Sequence, residues 1–478
     1  MRIAGLLIAA VVGTGCASGF SAPSSMTRTS PELSLTEVIR QELSTPGLRH
    51  ALWGIRIEEE DGTLLADVNS HTLMIPASNR KIFVAGLVND CLGPSATFET
   101  ELWIDGDVQD STLVGDIIIR GGGDPSLGGR YESDRDMRLL PFIEALRGKG
   151  ITRVSGSVVA DVSLYSRETI PEGWKTGYLG ESYAAPVDAI AFNENVVGVT
   201  VARSGCGSTS VTTDPAFLFG DGELTCESPD SVHIVTDSSN RVRVTGTAEL
   251  KKAPRIFEDT VAVTDAGLYA AQALTSFFEN NGITVDGPPR LSTLPRTWRE
   301  KIGQIESPPV FLLLTTVLKN SQNLYAEMLY RDSVGGPGPI SYADAREAER
   351  QFLVGQVGID PREFDFDDGS GLSVEDLVTP AAIVKMFRYL TAEPRGPLFQ
   401  LLLASPGEGG TLHRRLLPLA GHLYGKTGSI LGVNALSGFA IGSSGRKRYF
   451  SIIVNHHLAD SDEALAAIDR IAVRLATF

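Results

Sequence analysis

Clustered positive charge is the first thing this sequence does without. Lysine and arginine number 42 against 58 aspartates and glutamates, a formal net charge of −16 with no basic run. That excludes a nucleic-acid binder and a protein held electrostatically on an anionic membrane surface. Long hydrophobic runs are missing too, and Ala4 to Val12, the apolar stretch at the N-terminus, is too short to cross a bilayer. The seven histidines include no His-Glu-x-x-His. His456 and His457 close an apolar strand, where neighbouring side chains point to opposite faces, so neither a metal nor another cofactor is expected. No repeat of fixed period runs through the chain. What is present fits a globular protein: 42% apolar and 21% charged residues, with 50 glycines and 25 prolines that point to many turns and much β structure. At 478 residues the chain exceeds one ordinary core, and two or three domains are expected.

The N-terminus reads as an export signal. Arg2 is a minimal positive region, Ala4 to Val12 an apolar core, and Gly13-Thr14-Gly15-Cys16 places small residues before a cysteine in the manner of a bacterial lipobox. Cys16 is thus a lipidation candidate, with ordinary signal cleavage nearby as the alternative. Either way the protein is exported, to the periplasm or the outer surface of a membrane, and a lipid at Cys16 would be its one membrane contact. Ser21 to Pro31 reads as a tether. Of the other cysteines, Cys206 and Cys226 lie twenty residues apart among short strands and can form a disulfide after export. Cys91 ends an apolar helix and reads as a small buried hydrophobe.

The remainder falls into three stretches. A helix, a strand at Leu52 to Ile57 and a helix from about Ser78 come first; short strands such as Leu113 to Arg120, Gly156 to Asp161 and Ser231 to Thr247 follow. Helical patterns return after Gly303, with a capping-box start at Ser341 and an N-cap plus proline at Thr379-Pro380. A hairpin at Ala435 to Gly442 and Tyr449 to Asn455 precedes a last helix, Glu463 to Thr477, with Leu465, Ile468, Ala472 and Leu475 on one face.

Three short motifs carry chemistry. In Ser78-Asn79-Arg80-Lys81 the serine and lysine are three apart on a helix start, so they share a face. A buried lysine of depressed pKa can take the serine proton, and the helix N-terminus favours developing negative charge. Ser321-Gln322-Asn323 lies between two apolar helical runs, where a hydroxyl and an amide can relay a proton and bind a peptide. Lys426-Thr427-Gly428-Ser429 enters a strand; its glycine would let a substrate backbone approach, and its lysine and hydroxyls can hold a carboxylate. Each motif alone is commonplace. Together, in this order, they are a signature.

The three motifs resemble those of active-site serine penicillin-recognising enzymes. The separations, 243 residues from Ser78 to Ser321 and 105 from there to Lys426, are similar to D-alanyl-D-alanine carboxypeptidases of the penicillin-binding-protein 4 type. Gly115 to Ser126, Tyr183-Ala-Ala-Pro186 with Phe192 to Asn195, Asp368 to Ser373 and Gly409 to Leu412 also resemble segments of that family. The resemblance implies an α/β (α+β) chain: a transpeptidase- and β-lactamase-like catalytic domain with β-rich domains inserted between the first two motifs. Its divisions would be 1–31 signal peptide and tether, 32–95 and 302–478 catalytic, 96–185 and 256–301 the inserted domain, and 186–255 a nested β-rich domain.

It also implies roles. Ser78 attacks the carbonyl between two D-alanines, Lys81 is the base, Ser321 and Lys426 return the proton, and Asn323 bonds the substrate backbone. The amides of Ser78 and Ser429 form the oxyanion hole beside Gly428, and Thr427 with Ser429 binds the terminal carboxylate. The partners are peptidoglycan stem peptides and, as covalent inhibitors, β-lactam antibiotics. Two alternatives stand beside a carboxypeptidase: a DD-endopeptidase cutting cross-links with the same groups, and a silent peptidoglycan-binding lipoprotein, which would have no reason to keep all five catalytic residues. A β-lactamase would need an acidic deacylation base that no motif supplies.

The chain departs from the family where relatives read the charged end of diaminopimelate. The acidic position falls on Tyr178, near Tyr183, with Glu181 close by; the arginine position holds Val374, and the polar position holds Leu431 after Ile430. A weak preference for a free zwitterionic side chain is expected.

Overall fold

The computed structural model describes residues 33–205, 208–249, 255–392, 394–442 and 445–477. Cys16 and Cys206 lie outside these residues. The chain ends meet in one five-stranded antiparallel sheet, in the order Leu423–Ile430, Val433–Ile441, Lys447–Asn455, Leu52–Glu59 and Leu64–Val68. Its inner strands are buried on both faces, whereas the edge strand Leu64–Val68 is open, and the two-residue period divides the faces cleanly. Phe450, Ile452 and Val454 pack with the helices Leu35–Leu43 and Ser461–Thr477, whereas Tyr449 and Ile453 face the other way. That second face meets the helices Lys81–Cys91, Val310–Lys319, Asn323–Asp332 and Pro380–Thr391. Lys81–Cys91 is buried from Lys81 to Val88, which explains a pattern that is apolar all round.

Between these two segments of the sheet the described residues build four further sheets, the smallest a two-stranded pairing of Phe364–Asp365 with Leu377–Val378. A seven-stranded one includes the long hairpin Glu99–Gln109 and Thr112–Arg120. Two three-stranded sheets follow, one of Arg255–Ala262, Val196–Gly205 and Ser208–Asp214, the other of Ser231–Thr236, Val242–Thr247 and Gly220–Thr225. Their shared core reaches Leu324 and Met328, on the helix that carries Asn323.

Capping follows the sequence. Ser341 forms a reciprocal box with Asp344, and Thr379 accepts from Ala382 N–H ahead of Pro380. Three local expectations change. Cys91 is exposed, because the all-round burial of its helix ends at Val88 and the last turn emerges from the core. The buried face of the last helix is Ala464, Ala467, Ile468, Ile471, Ala472 and Leu475, leaving Leu465 half-buried beside it. His456 and His457 lie beyond the strand end: His456 turns the chain at φ 58°, and His457 is buried with Nε2 2.9 Å from Asn434 Oδ1. Cys226 is disulfide-bonded.

Candidate active site

The chain enters the first motif through a strained corner. Ala77 has φ 48°, and Ala77–Arg80 form a single 3-10 turn before the α-helix begins at Lys81. This turn lifts Ser78 to a half-buried position and sends the Lys81 side chain beneath it. Lys81 is fully buried, and its Nζ donates to Ser78 Oγ at 2.9 Å, Asn323 Oδ1 at 2.6 Å and the Ser370 carbonyl at 2.6 Å. Burial lowers its pKa to about 8, against the pull of Asp368 and Glu327.

The second motif crosses a junction. Ser321 sits at φ 62°, Gln322 caps the following helix by accepting from Leu324 N–H, and Asn323 opens that helix. Lys426, buried on the strand Leu423–Ile430, donates from Nζ to Ser321 Oγ at 2.8 Å and to the Thr427 carbonyl at 2.8 Å. Burial, then the charge of Lys81, hold the Lys426 amine well below the usual lysine range. Ser78, Lys81, Ser321, Asn323 and Lys426 are thus one connected set.

The residues after Lys426 have distinct settings. Thr427 Oγ1 donates to Thr411 Oγ1 at 2.8 Å, and Ser429 Oγ accepts from Asn434 Nδ2 at 3.1 Å, which leaves the Ser429 proton free to donate outward. A Cβ on Gly428 would stand 2.7 Å from the Pro76 carbonyl and 3.2 Å from Ser78 N. The glycine therefore lets the strand itself, rather than a substrate, press against the Ser78 turn. On the opposite side Gly371, at φ 80°, lies where any Cβ would overlap the Ala77 carbonyl.

Sequence reasoning missed the floor of this site. Asp368 is buried and accepts from the backbone N–H groups of Gly371, Leu372 and Ser373 and from Trp174 Nε1. Against burial, a hydrogen bond with the Asp376 side chain first, and these amide and indole bonds next, lower its pKa. Arg80 donates from Nε to the Asp368 carbonyl at 2.8 Å and pairs both ways with Glu349 at 2.6 and 2.7 Å. The available signal was single charges set in or directly before largely apolar helical stretches, Glu327 and Arg80 among them, which cannot be buried without partners.

The inserted sheets also reach the site. Tyr183 offers its carbonyl to Asn323 Nδ2 at 2.7 Å, and Gln322 Nε2 donates to Glu194 at 2.6 Å. Asn323 is thereby held at both ends of its amide, with one N–H left for a ligand. Tyr178 and Ile430 pack around Trp174 and Leu372, and Tyr183 meets Tyr178 edge-on at 5.8 Å. Leu431 projects into solvent, Val374 is half-buried, and Glu181 and Arg414 are exposed.

Known proteins are similar to this chain in sequence and fold. A model of the D-Ala-D-Ala carboxypeptidase 3 (S13) family matches residues 35–477. The chain is 28% identical to a D-alanyl-D-alanine carboxypeptidase of Actinomadura sp. (strain R39), over 93% of this chain and 85% of that one. It is also 28% identical to the D-alanyl-D-alanine carboxypeptidase DacB of Haemophilus influenzae, over 82% of each. The crystal structure of penicillin-binding protein 4 from H. influenzae superposes with a TM-score of 0.81 at 25% identity, covering 93% of this chain and all of that one.

Proposed function

The chain belongs to the D-Ala-D-Ala carboxypeptidase (S13) family, and from that premise we propose that Ser78, Lys81, Ser321, Asn323 and Lys426 do its chemistry. The activity is that of a penicillin-binding serine D-Ala-D-Ala carboxypeptidase. Ser78 Oγ attacks the carbonyl between the two D-alanines while Lys81 takes its proton across the 2.9 Å contact. With a pKa of about 8, roughly a tenth of the lysine is neutral at pH 7, enough for a base that is regenerated each cycle.

The amide of Ser78 lies beside the Gly428–Ser429 backbone, which supports these two residues' N–H groups as the oxyanion hole. Loss of one such donor costs about 3 kcal/mol. Lys426 and Ser321 pass the proton to the departing amine, while Thr427 and Ser429 hold the terminal carboxylate. Asn323 bonds the substrate backbone through its remaining N–H. Water then hydrolyses the ester. The substrates are peptidoglycan stem peptides. β-Lactams, one of which is bound in a structure of the H. influenzae relative, acylate Ser78 and remain because their leaving group stays tethered. The observation that carries this reading is the pair of buried lysines, one on each of the two serines. A fluorescent penicillin should label the protein, and Ser78→Ala should abolish labelling without lowering the melting temperature. Labelling that survives Ser78→Ala removes the mechanism.

Tyr178, Tyr183, Val374, Ile430 and Leu431 form the candidate side-chain subsite. Its aromatic and aliphatic surface supports better turnover of substrates whose diaminopimelate end is amidated or uncharged. Comparing kcat/KM for the two peptide classes tests this, and a hundredfold preference for the free zwitterion sinks it.

The catalytic segments would be 32–95 and 302–478, around the inserted and nested β-rich domains. The pairing of Arg255–Ala262 with Val196–Gly205 supports ending the nested domain after Ala262 rather than at 255. Export, with Cys16 as the lipid attachment, is supported by the N-terminal sequence. Among the described residues no helix is long and apolar enough to cross a membrane.

A further inference from the structure

Beneath the nucleophile lies a carboxylate to which the roles above give no task. Glu327 is fully buried and sits one turn after Asn323 on the helix Asn323–Asp332, so the two share a face. Its Oε1 accepts the Ser370 N–H at 2.8 Å and its Oε2 the Gly369 N–H at 2.8 Å. The carbonyl of the same Ser370 accepts from Lys81 Nζ at 2.6 Å, as does Asn323 Oδ1 at 2.6 Å. One helix face therefore sets two of the three acceptors around the lysine, Asn323 directly and Ser370 through Glu327.

We infer that Glu327 is a positioning residue for Lys81: by accepting both loop amides it fixes the Ser370 carbonyl against which the buried lysine can hold a proton. The inference rests on Lys81 being the general base. As the Ser78 Oγ–carbon bond forms, the carbonyl π pair moves to the oxyanion and the Ser78 proton moves to Lys81. The new ammonium then sits in a water-poor site, where the fixed Ser370 carbonyl and the charge of Asp368 lower the energy of its charged form. Glu327 gains no proton in this step.

Other charges face the pair. Lys81 meets Arg80 from its own turn, Asp368 and Asp376 from the loop 365–378, and Lys426 from the strand Leu423–Ile430. Glu327 meets Asp368 from that loop and Tyr342 from the helix Tyr342–Phe352. Asp368 accepts its own loop amides and the Ser370 hydroxyl, whereas Glu327 accepts the Ser370 N–H, and burial pushes the Glu327 carboxyl up to about 8.

The test is the pH profile of acylation by a chromogenic cephalosporin, read on folded protein. Glu327→Gln offers one oxygen to two amides and no charge. Its limiting rate should fall about tenfold, and its acid limb should move down by about one pH unit or more, because the neutral amine persists to lower pH. Glu327→Asp keeps both oxygens but shortens the reach, so its rate should fall and its limb should move the same way by a smaller amount. A Glu327→Gln limb at the wild-type position overturns the inference. Should Glu327→Gln fail to fold, Glu327→Asp decides alone: a limb moved down with a lower rate supports the inference, and an unmoved limb overturns it. Lys81→Ala separates the two readings, since normal acylation there removes the base itself, whereas its loss beside an unmoved Glu327→Gln limb removes only the role of Glu327.

Discussion

The two walls of the cleft each bury a lysine against a serine, yet they treat the amine differently. On the helical wall Lys81 has three acceptors and carboxylates beneath it, and its pKa falls only to about 8. On the strand wall Lys426 has a hydroxyl and a backbone carbonyl as acceptors, and Lys81 is the charge that burial leaves acting on it. Burial first, and the charge of Lys81 second, hold its amine well below the usual lysine range. One lysine is built to gain and lose a proton in every cycle. The other is built as a hydrogen-bonding conduit that spends little time charged.

Three measurements break or sharpen that contrast. The largest effect belongs to Lys81→Ala, which should slow acylation by about a thousandfold near neutral pH, against about a hundredfold for Lys426→Ala. Equal losses would erase the distinction. Next is the pH dependence. The reactive form of Lys81 is the neutral amine, so the wild-type acylation rate should climb as pH rises through about 8 and level off above it. In Lys426→Ala the limb should stay where it is, as removing a neutral neighbour changes the charge balance little; a large displacement would mean that Lys426 carries the titration. The smallest effect on chemistry is expected from the nested sheets. Reducing the disulfide of Cys226 should cost about 2–4 kcal/mol of stability, seen as a lower melting temperature. The acylation rate of the still-folded protein should be unchanged, and a parallel fall would show that the nested sheets steer the cleft.

How much of this was legible follows from the range over which each feature is fixed. Ser78 and Lys81 are three residues apart, and local helix geometry alone brings them within a hydrogen bond. Thr379-Pro380 and Ser341 announce helix starts by the same local logic. The lysine's other acceptors could not be read this way, because Asn323 and Ser370 arrive from 242 and 289 residues further on. Glu327 left a fainter trace, as an acid on a helix buried from Leu324 to Asp332. Cys91 shows the opposite error: its helix is apolar by composition, but burial stops one turn early, and hydropathy does not report where a helix leaves the core.

Gly371 and Gly428 clasp the Ser78 turn from two sides, each with bare backbone against backbone. The seat of the nucleophile is therefore specified by main-chain shape, and heritable variation has almost no purchase there. A lineage under antibiotic selection cannot reshape that seat by exchanging one side chain for another without prising the turn from its supports. Change is channelled instead to the rim, where Leu431 stands in solvent and the Tyr183 ring is half exposed against Tyr178.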